Sequence, residues 1–314
     1  MKVIVLGNGI HTKKRIVPAL NKIEIIDSLT IADRSVVEDI KLSKSEQIVN
    51  YERELNTDNY YDLAIIATPP YNHIDSFLRI KDKSEIALIE KPLTNDFKFI
   101  FSKEMEGYLK SNKILESLMY FHHPLWKKIK NILESKNIVE INTEFSVPHL
   151  SQDSYRYSAS KGGGSLFDQG IYPISFAQQL INKKYEIKNI ETYSEKGFEV
   201  DLSGKIGLNI DNKINFKGSW GLGCQYNNFV NLKDSDGNIY EIDFFYSKPD
   251  LTKSKILVTK DNSKKELEIG IHDQFQNMYL DAINKNFSAF EYSNFNNLNL
   301  RYELLAEVRK TIKL

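Results

Sequence analysis

Four short apolar runs in the first third of the chain restrict its fold more than any other feature. They lie at residues 3–6, 29–32, 63–67 and 86–89. Each run is apolar throughout and does not alternate with polar residues, which is typical of strands buried on both faces. Helix-like stretches separate the runs. This pattern predicts an α/β domain with a doubly wound parallel sheet over residues 1–120.

Beyond residue 120 the hydrophobic period changes to two. Residues 205–220, 229–244 and 255–269 alternate, and each stretch is interrupted at its midpoint by residues that tolerate positive φ. These midpoints are Asp211-Asn212, Asp236-Gly237-Asn238 and Asp261-Asn262. Helical patterns at residues 273–284 and 298–312 close the chain. We therefore expect a second, α+β domain over residues 121–314, with an open, mostly antiparallel sheet.

Composition excludes several classes of protein. Cys224 is the only cysteine, so an intrachain disulfide and a cysteine-based metal site are excluded, and no metal site is predicted. A formal net charge of +0 gives no bulk reason to expect nucleic acid or an anionic membrane as partner. We expect a cytoplasmic protein with a small-molecule substrate. The exposed face of an open sheet further suggests a homodimer or homotetramer.

A glycine turn follows the first apolar run. Gly7 and Gly9 flank Asn8, and Ile10, His11 and Thr12 then open a helix. Glycines at this point permit a tight turn and let the backbone approach a pyrophosphate, whose charge lies at the helix N-terminus. Thr12 replaces the third glycine of the G-x-G-x-x-G fingerprint. The residues around this turn are therefore predicted to bind a dinucleotide, on an incomplete motif.

Asp33 ends the second apolar run, where a carboxylate that binds ribose is expected. This carboxylate favours NAD because it would repel a 2′-phosphate. Arg34, Ser35 and the basic residues 13–15 would nevertheless accommodate one. Both NAD and NADP remain open as the cofactor.

The third apolar run ends in a proline-rich loop, Thr68-Pro69-Pro70-Tyr71-Asn72-His73. Proline cannot continue a central strand, so these residues shape a loop at the ligand-binding edge of the sheet. We predict cofactor contacts from Thr68, Pro69 and His73. For His73, which begins a helix, a capping or packing role is the alternative.

The fourth run ends in Glu90-Lys91-Pro92, and here the chain resembles the Gfo/Idh/MocA oxidoreductases. Four blocks in the same order carry the resemblance. They are the glycine turn running on to Pro18-Ala19-Leu20, the loop at residues 68–73, Glu90-Lys91-Pro92, and residues 162–173, GGGSLFDQGIYP. The resemblance implies a Rossmann domain, an antiparallel-sheet domain and a nicotinamide cofactor.

The resemblance also assigns roles to individual residues. Lys91 matches the catalytic lysine, whose bond to the following proline is often cis in this family, and Glu90 matches a glutamate beside the cofactor. Asp168 matches an aspartate that flanks the reacting carbon. Tyr172 stands where many members have histidine. Tyrosine at this position is a known variant, found in members that resemble dihydrodiol dehydrogenase, glucose-fructose oxidoreductase and sugar 3-ketoreductases.

The chemistry of these residues is consistent with hydride transfer. A carbinol that exchanges hydride with nicotinamide needs a group to take or give the hydroxyl proton. A phenol is a poor base at neutral pH, but a nearby ammonium stabilises the phenolate. Lys91 and Tyr172 are therefore expected to form an acid–base pair, in which either carries the proton. Asp168 lies four residues before Tyr172, on the same helix face unless Pro173 distorts the helix.

Residues 147–157 resemble the subgroup that acts on nucleotide-linked keto sugars, and Arg156 within them would hold a phosphate or a sugar hydroxyl. The predicted substrate-binding residues are Lys91, Arg156, Asp168 and Tyr172. Together these features predict an NAD(P)-dependent dehydrogenase or ketoreductase of a sugar or sugar derivative. A non-catalytic NAD(P)-binding regulator of the same fold is the first alternative. A dehydrogenase of a nonsugar substrate, such as a dihydrodiol or an imine, is the second.

Overall fold

The computed structural model describes residues 1–43, 45–181, 184–249, 252–261 and 263–313. The chain forms two compact units, Met1–Leu118 with Gln274–Asn296, and Met119–Asp273 with Asn297–Leu314. These units differ from the predicted domains 1–120 and 121–314 by two residues at the boundary and by one internal segment. Gln274–Asn296 belongs to the first unit because its helix packs against helix and strand elements of that unit. Sequence periodicity does not indicate which sheet a helix will cover.

A seven-stranded sheet forms the centre of the first unit. Its strands are β1 (Lys2–Leu6), β2 (Ser28–Asp33), β3 (Ile40–Lys41), β4 (Glu46–Asn50), β5 (Tyr61–Ile66), β6 (Ser84–Glu90) and β7 (Ile114–Ser117). Their order is β3-β4-β2-β1-β5-β6-β7, and all pairs are parallel except β3 with β4. The four apolar runs became β1, β2, β5 and β6, whose central residues are almost fully buried. The predicted doubly wound parallel sheet is confirmed.

An eight-stranded sheet forms the centre of the second unit. Its strands are β8 (Ile138–Val147), β9 (Tyr185–Tyr193), β10 (Ser203–Ile210), β11 (Ile214–Leu222), β12 (Asn227–Asp234), β13 (Ile239–Asp243), β14 (Lys253–Lys260) and β15 (Ser263–Ile271). The order is β15-β14-β13-β12-β8-β11-β10-β9. Only β8 with β11 is parallel. The expectation of an open, mostly antiparallel sheet is confirmed, although β8 interrupts the simple meander by lying between β12 and β11.

The three predicted hairpin turns fall between paired strands. Asp211 and Asn212 have φ of 53° and 55° between β10 and β11, and Gly237 has φ of 83° between β12 and β13. Asp261, at φ 45°, follows β14, whereas Asn262 lies outside the described residues. Side chains that tolerate positive φ therefore mark the hairpins, as the sequence predicted.

The helices connect and cover these sheets. The α-helices are α1 (Val17–Leu20), α2 (Tyr51–Glu54), α3 (His73–Ile80), α4 (Phe97–Ile100), α5 (Lys103–Lys110), α6 (Pro124–Ser135), α7 (Ile171–Leu180), α8 (Gln274–Ile283) and α9 (Phe295–Arg309). Short 3₁₀ helices span Pro70–Asn72, Met119–His122, Tyr155–Tyr157, Ala159–Lys161 and Phe287–Ser293. Thr12–Ile16 and Leu166–Gly170 are π-helical. In the part of the chain that is described, no helix is both long enough and apolar enough to cross a membrane.

Candidate active site

The glycine turn lies at the carboxyl edge of the parallel sheet. Gly7 follows β1 with φ +110°, and its amide donates to the carbonyl of Ala32 at 2.9 Å. A Cβ on Gly7 would lie 2.8 Å from the carbonyl oxygen of Ala67, so only glycine fits. A Cβ on Gly9 would meet nothing within 4 Å. The turn therefore leaves open space beside Gly9, where the backbone can approach a pyrophosphate.

Thr12, which replaces the third glycine, stabilises the turn from within the protein. Its side chain is fully buried, and its hydroxyl donates to the carbonyl of Gly7 at 2.8 Å. Ile10 and His11, by contrast, are exposed. Of the three residues predicted to open a cofactor-binding helix, Ile10 and His11 present atoms to the outside. Thr12 instead helps to hold the turn closed.

Asp33 ends β2 at the same sheet edge, but its carboxylate is already engaged. Its Oδ1 accepts from the amide and the hydroxyl of Ser35 at 2.8 and 2.9 Å, and the side chain of Asn8 is a further donor. Burial raises the pKa of Asp33, but these hydrogen bonds and the charge of Lys13 outweigh burial and lower it overall. Asp33 is therefore an ionised group that organises the loop after β2.

Arg34 is exposed but held in place. Its guanidinium lies 5.0 Å from the centre of the Tyr51 ring. With the Asn72 amide oriented so that its oxygen faces Arg34, this oxygen accepts two hydrogen bonds at 2.8 and 3.0 Å. The loop after β5, which supplies Asn72, therefore fixes a cation beside the end of β2. A planar, oriented guanidinium of this kind suits a phosphate.

His73 joins two loops of the site. It is 1% exposed, with Nδ1 2.8 Å from the carbonyl of Pro92 and Nε2 2.7 Å from the carbonyl of Thr68. Burial lowers the pKa of His73, despite the opposing effect of these carbonyls. Both ring nitrogens face protein carbonyls, so His73 connects the loop at residues 68–73 to Pro92, and its contact with the cofactor stays a prediction. Thr68 and Pro69 lie in the tethered loop, at the end of β5.

Glu90 and Lys91 end β6 at the same edge. The Glu90 carboxylate accepts from the Ser117 hydroxyl at 2.8 Å and lies 3.4 Å from Nε2 of His11. Burial would raise the pKa of Glu90, but the nearby His11, Ser117 and Lys91 lower it overall. The Lys91–Pro92 bond is cis, as the family resemblance implied. These contacts hold a lysine at the carboxyl end of a central strand, next to an ionised carboxylate.

These residues of the first unit fit a nicotinamide dinucleotide. Register pairs Leu6 with Ala32 and with Ile66, and Ile66 with Ile89, so the residues that follow the four strands share one edge. The Gly7 turn, the anchored Arg34 and the Glu90–Lys91 end are all at this edge. They would cradle the pyrophosphate, the adenosine ribose and the nicotinamide half, respectively.

In the second unit, a buried aspartate holds the start of the helix that carries Asp168 and Tyr172. Asp201 is 5% exposed, and its carboxylate accepts from the Ser165 hydroxyl at 2.5 Å and the Leu166 amide at 2.7 Å. Burial raises the pKa of Asp201. Sequence reasoning missed this residue because a single acid near an apolar strand carries no motif. Its role depends on contacts 35 and 36 residues away along the chain.

Tyr172 lies within an aromatic cluster of the second unit. It is 3% exposed, and its ring centre is 4.8 Å from Phe145, 5.4 Å from Tyr246 and 6.2 Å from Tyr120. Its hydroxyl donates to the sulfur of Met119 at 3.7 Å. The helix is π-helical over Leu166–Gly170, immediately before α7 and Pro173, so the distortion foreseen for this segment is present.

Arg156 and Asp168, both predicted to bind substrate, are paired with each other. Arg156 Nε lies 2.5 Å from Asp168 Oδ2, and Gln169 Nε2 donates to the same oxygen at 2.6 Å. The structure therefore brings Arg156, Asp168 and the helix of Tyr172 together within the second unit. It likewise brings the predicted cofactor residues together within the first. Among the described residues, no group of three or more histidine, cysteine, aspartate or glutamate side chains is arranged to hold a metal ion.

A dinucleotide-binding edge on a parallel sheet, in a chain that also contains an open antiparallel sheet, is the arrangement expected of an NAD(P)-dependent oxidoreductase. Residues 126–240 match the family model of the GFO/IDH/MocA C-terminal domain. The resemblance to this family that the sequence predicted is confirmed over these residues.

Curated relatives extend this similarity over most of the chain. A protein of Actinomadura kijaniata described as dTDP-3,4-didehydro-2,6-dideoxy-alpha-D-glucose 3-reductase is 24% identical over 284 residues, which cover 88% of this chain and 84% of its own. A protein of the same description from Saccharopolyspora spinosa is 23% identical, with coverage of 87% and 84%. The prediction of an oxidoreductase is confirmed by these relatives.

Solved structures share the fold. The 3-ketoreductase KijD10 from Actinomadura kijaniata, in complex with NADP and TDP-benzene, superposes with a TM-score of 0.84 at 20% identity, covering 99% of this chain and 97% of its own. An aldose-aldose oxidoreductase from Caulobacter crescentus, complexed with glycerol, has a TM-score of 0.80 at 16% identity, with coverage of 100% and 99%. At these identities the likeness establishes the architecture.

Proposed function

We propose that this chain is an NADPH-dependent ketoreductase that reduces the 3-keto group of a nucleotide-linked sugar. The observation that carries the proposal is a combination within one chain. Lys91 at the end of β6 and Tyr172 with Asp168 on the buried helix are present in a protein similar over most of its length to dTDP-keto-sugar 3-reductases. A regulator without catalysis would have no chemical reason to keep these three side chains.

The preference for NADPH rests on the loop after β2. Asp33 is taken up by Ser35 and Asn8, so its carboxylate is less available to ribose hydroxyls. Arg34, oriented by Asn72 and Tyr51, offers a guanidinium to a 2′-phosphate. When bound, the cofactor supplies the hydride. Gly7, Gly9 and the loop at residues 68–73 would hold its pyrophosphate and shape its site.

Tyr172 is proposed to supply the proton. Its ordinary pKa near 10 makes a poor base but a competent acid at neutral pH, which suits reduction of a ketone to an alcohol. The Tyr172 hydroxyl would donate its proton to the carbonyl oxygen of the ketone. The Lys91 ammonium would stabilise the charge that develops there and orient the sugar. If Lys91 carries the proton instead, the reaction still requires both residues.

The experiment begins with the cofactor. The protein is titrated with NADPH and with NADH, and binding is monitored by the fluorescence of the nucleotide. NADPH should bind more tightly than NADH. The complex is then offered 3-keto and 4-keto nucleotide sugars, the corresponding free keto sugars, a dihydrodiol and an imine, with NADPH consumption as readout. Fastest turnover of a 3-keto nucleotide sugar supports the proposal. Turnover of only the nonsugar compounds contradicts it.

Lys91→Ala tests whether the protein is an enzyme or a regulator. This variant should bind NADPH within about twofold of the parent and lose about 10³-fold or more in kcat, because charge stabilisation and proton transfer each contribute roughly 10²–10⁴. Lys98→Ala, on the exposed side of α4, is the matched control and should leave turnover unchanged. An active Lys91→Ala enzyme would refute the role assigned to Lys91.

The cytoplasmic location and the homodimer or homotetramer stay predictions. They rest on the single cysteine and on the open sheet of the second unit. Sedimentation of the purified protein at several concentrations tests the oligomeric state, and a monomer at all concentrations would contradict it.

A further inference from the structure

The glycine block at residues 162–164 holds the main chain of Arg156. The amide of Gly164 donates to the Arg156 carbonyl at 2.9 Å. A Cβ on Gly163 would lie 2.5 Å from that same carbonyl oxygen, so any larger residue would push Arg156 away. The guanidinium of Arg156 also lies 4.8 Å from the centre of the Tyr155 ring. Gly163 and Gly164 thus fix the main chain of Arg156, and Tyr155 lies beside its guanidinium.

The charged end of Arg156 is directed at Asp168. Nε of Arg156 contacts Oδ2 of Asp168 at 2.5 Å, with side-chain exposures of 30% and 13%. Burial alone would lower the pKa of Arg156, but the charge and the hydrogen bond of Asp168, together with the phenols of Tyr155 and Tyr172, raise it overall. Nε of the guanidinium is therefore bonded to a carboxylate of the protein. This contact weakens the prediction that Arg156 binds a substrate phosphate.

We propose that Arg156 is a positioning residue, which orients Asp168 and cancels the negative charge of its carboxylate beside the proton donor Tyr172. The proposal rests on the proposed function, since it concerns the same reaction. It assigns the glycine block a specific task, which is to bring the main chain of Arg156 close enough to the helix for this pair to form.

The charges of Arg156 and Asp168 affect the pKa of Tyr172 in opposite directions. Arg156 interacts electrostatically with both Asp168 and Tyr172, so the pair lies within range of the Tyr172 phenol. An uncompensated carboxylate there would disfavour the phenolate and raise the pKa of Tyr172, whereas an uncompensated guanidinium would lower it. The phenols of Tyr120 and Tyr246, whose rings face that of Tyr172, carry no charge at neutral pH.

The test compares Arg156→Gln, Asp168→Asn and the double variant, with pH profiles of kcat and with KM for the nucleotide sugar. In reduction the neutral phenol is the active form, so kcat falls as Tyr172 ionises at alkaline pH. We expect this alkaline limb to move up in pH in Arg156→Gln and down in Asp168→Asn. Each single change should lower kcat about 10–100-fold. The double change should cost no more than the worse single change, because one interaction is removed only once.

Two controls separate positioning from simple structural support. Arg156→Lys keeps the cation. Its alkaline limb should lie at the same pH as that of the parent, and its kcat should lie between those of Arg156→Gln and the parent. Arg53→Gln removes an arginine paired with an acid, Asp39, on the surface of the first unit and should change neither quantity. A general loss of folding would lower kcat in all second-unit variants without moving the limb in opposite directions.

Several outcomes would overturn the proposal. If Arg156→Gln raises KM tenfold or more and leaves kcat and the alkaline limb unchanged, Arg156 is a substrate ligand. Losses that multiply in the double variant also exclude a pair that acts as one unit. If the parent protein reduces no keto sugar at all, the proposed function fails. The thermal unfolding midpoints of the three variants then test only whether Arg156 and Asp168 interact. Non-additive shifts show an interaction, and additive shifts exclude one.

Discussion

Substitution of the two glycines of the turn after β1 separates folding from cofactor binding. Gly7 has φ +110°, and a Cβ there would lie 2.8 Å from the Ala67 carbonyl oxygen and 2.9 Å from its carbon. Gly9 lies two residues further on, and an added Cβ would meet no atom within 4 Å. Gly7→Ala and Gly9→Ala therefore add the same methyl group to one turn, in a crowded and in an open position.

The structure determines the size of each effect on stability. An alanine forced to φ +110° costs about 1–3 kcal/mol, and displacement of the Ala67 backbone adds to this. We expect Gly7→Ala to lose about 2–4 kcal/mol and its melting midpoint to fall by roughly 5–15 °C. Gly9→Ala should stay within about 0.5 kcal/mol of the parent, because its methyl group meets nothing in the free protein.

The affinity for NADPH, unlike the stability, should depend on Gly9. If the backbone at Gly9 approaches the pyrophosphate, the added methyl group occupies that space, and Gly9→Ala should weaken NADPH binding at least tenfold, about 1.4 kcal/mol. Differential scanning calorimetry and NADPH fluorescence titration measure the two quantities. A Gly9→Ala protein that binds NADPH like the parent would refute the assignment of this turn to the pyrophosphate. An unchanged melting midpoint in Gly7→Ala would refute the crowding argument.

Other side chains yield further predictions. Arg34→Gln should raise Kd for NADPH about tenfold or more and change Kd for NADH less than about twofold, since one charge-assisted contact to the 2′-phosphate is lost; equal changes in both titrations would contradict it. Lys248 is 6% exposed, and burial lowers its pKa to about 7 from its ordinary value of 10.5. Between these values the unfolded chain binds more protons, so the stability of the parent rises with pH there, and relative to Lys248→Met it should gain up to about 2 kcal/mol from pH 7 to pH 9. Urea unfolding at the two pH values measures this gain, and parallel stabilities would disprove it. Asp201→Ala should lower the free energy of unfolding by about 2–4 kcal/mol, because donors at the start of the helix lose their acceptor; a urea midpoint equal to that of the parent would rule this out.

Much of the fold follows from local pattern. The runs at residues 3–6, 29–32, 63–67 and 86–89 became strands because continuous apolar side chains leave no polar face for water. The hairpins followed from residues such as Asp211 and Gly237, which accept positive φ at low cost. Strands β3, β4, β7, β8 and β9 were not predicted, since β3 and β7 are short and the other three mix polar and apolar side chains without a clear period.

Hydrophobic periodicity did not predict which distant segments pack together. The central strand β8 lies parallel to β11 and antiparallel to β12, and no local signal indicates which strand it will join. The same holds for α8, which the sequence assigned to the second domain and which packs on β5 in the first unit. Both depend on contacts over long separations, where the gain comes from surface buried between elements.

By itself the sequence determined the fold class, the family resemblance and the residue types of the candidate site. Glycine, aspartate, lysine and tyrosine at the ends of recognisable elements suffice for these, because each motif is local. Only the tertiary structure decided what the side chains do within each unit. It showed that Thr12 and His73 hold loops, that Asp201 holds a helix, and that Arg156 is paired with Asp168. Hydrogen bonds and charge pairs depend on distances of about 3 Å, and chain order does not encode these distances for residues that folding brings together.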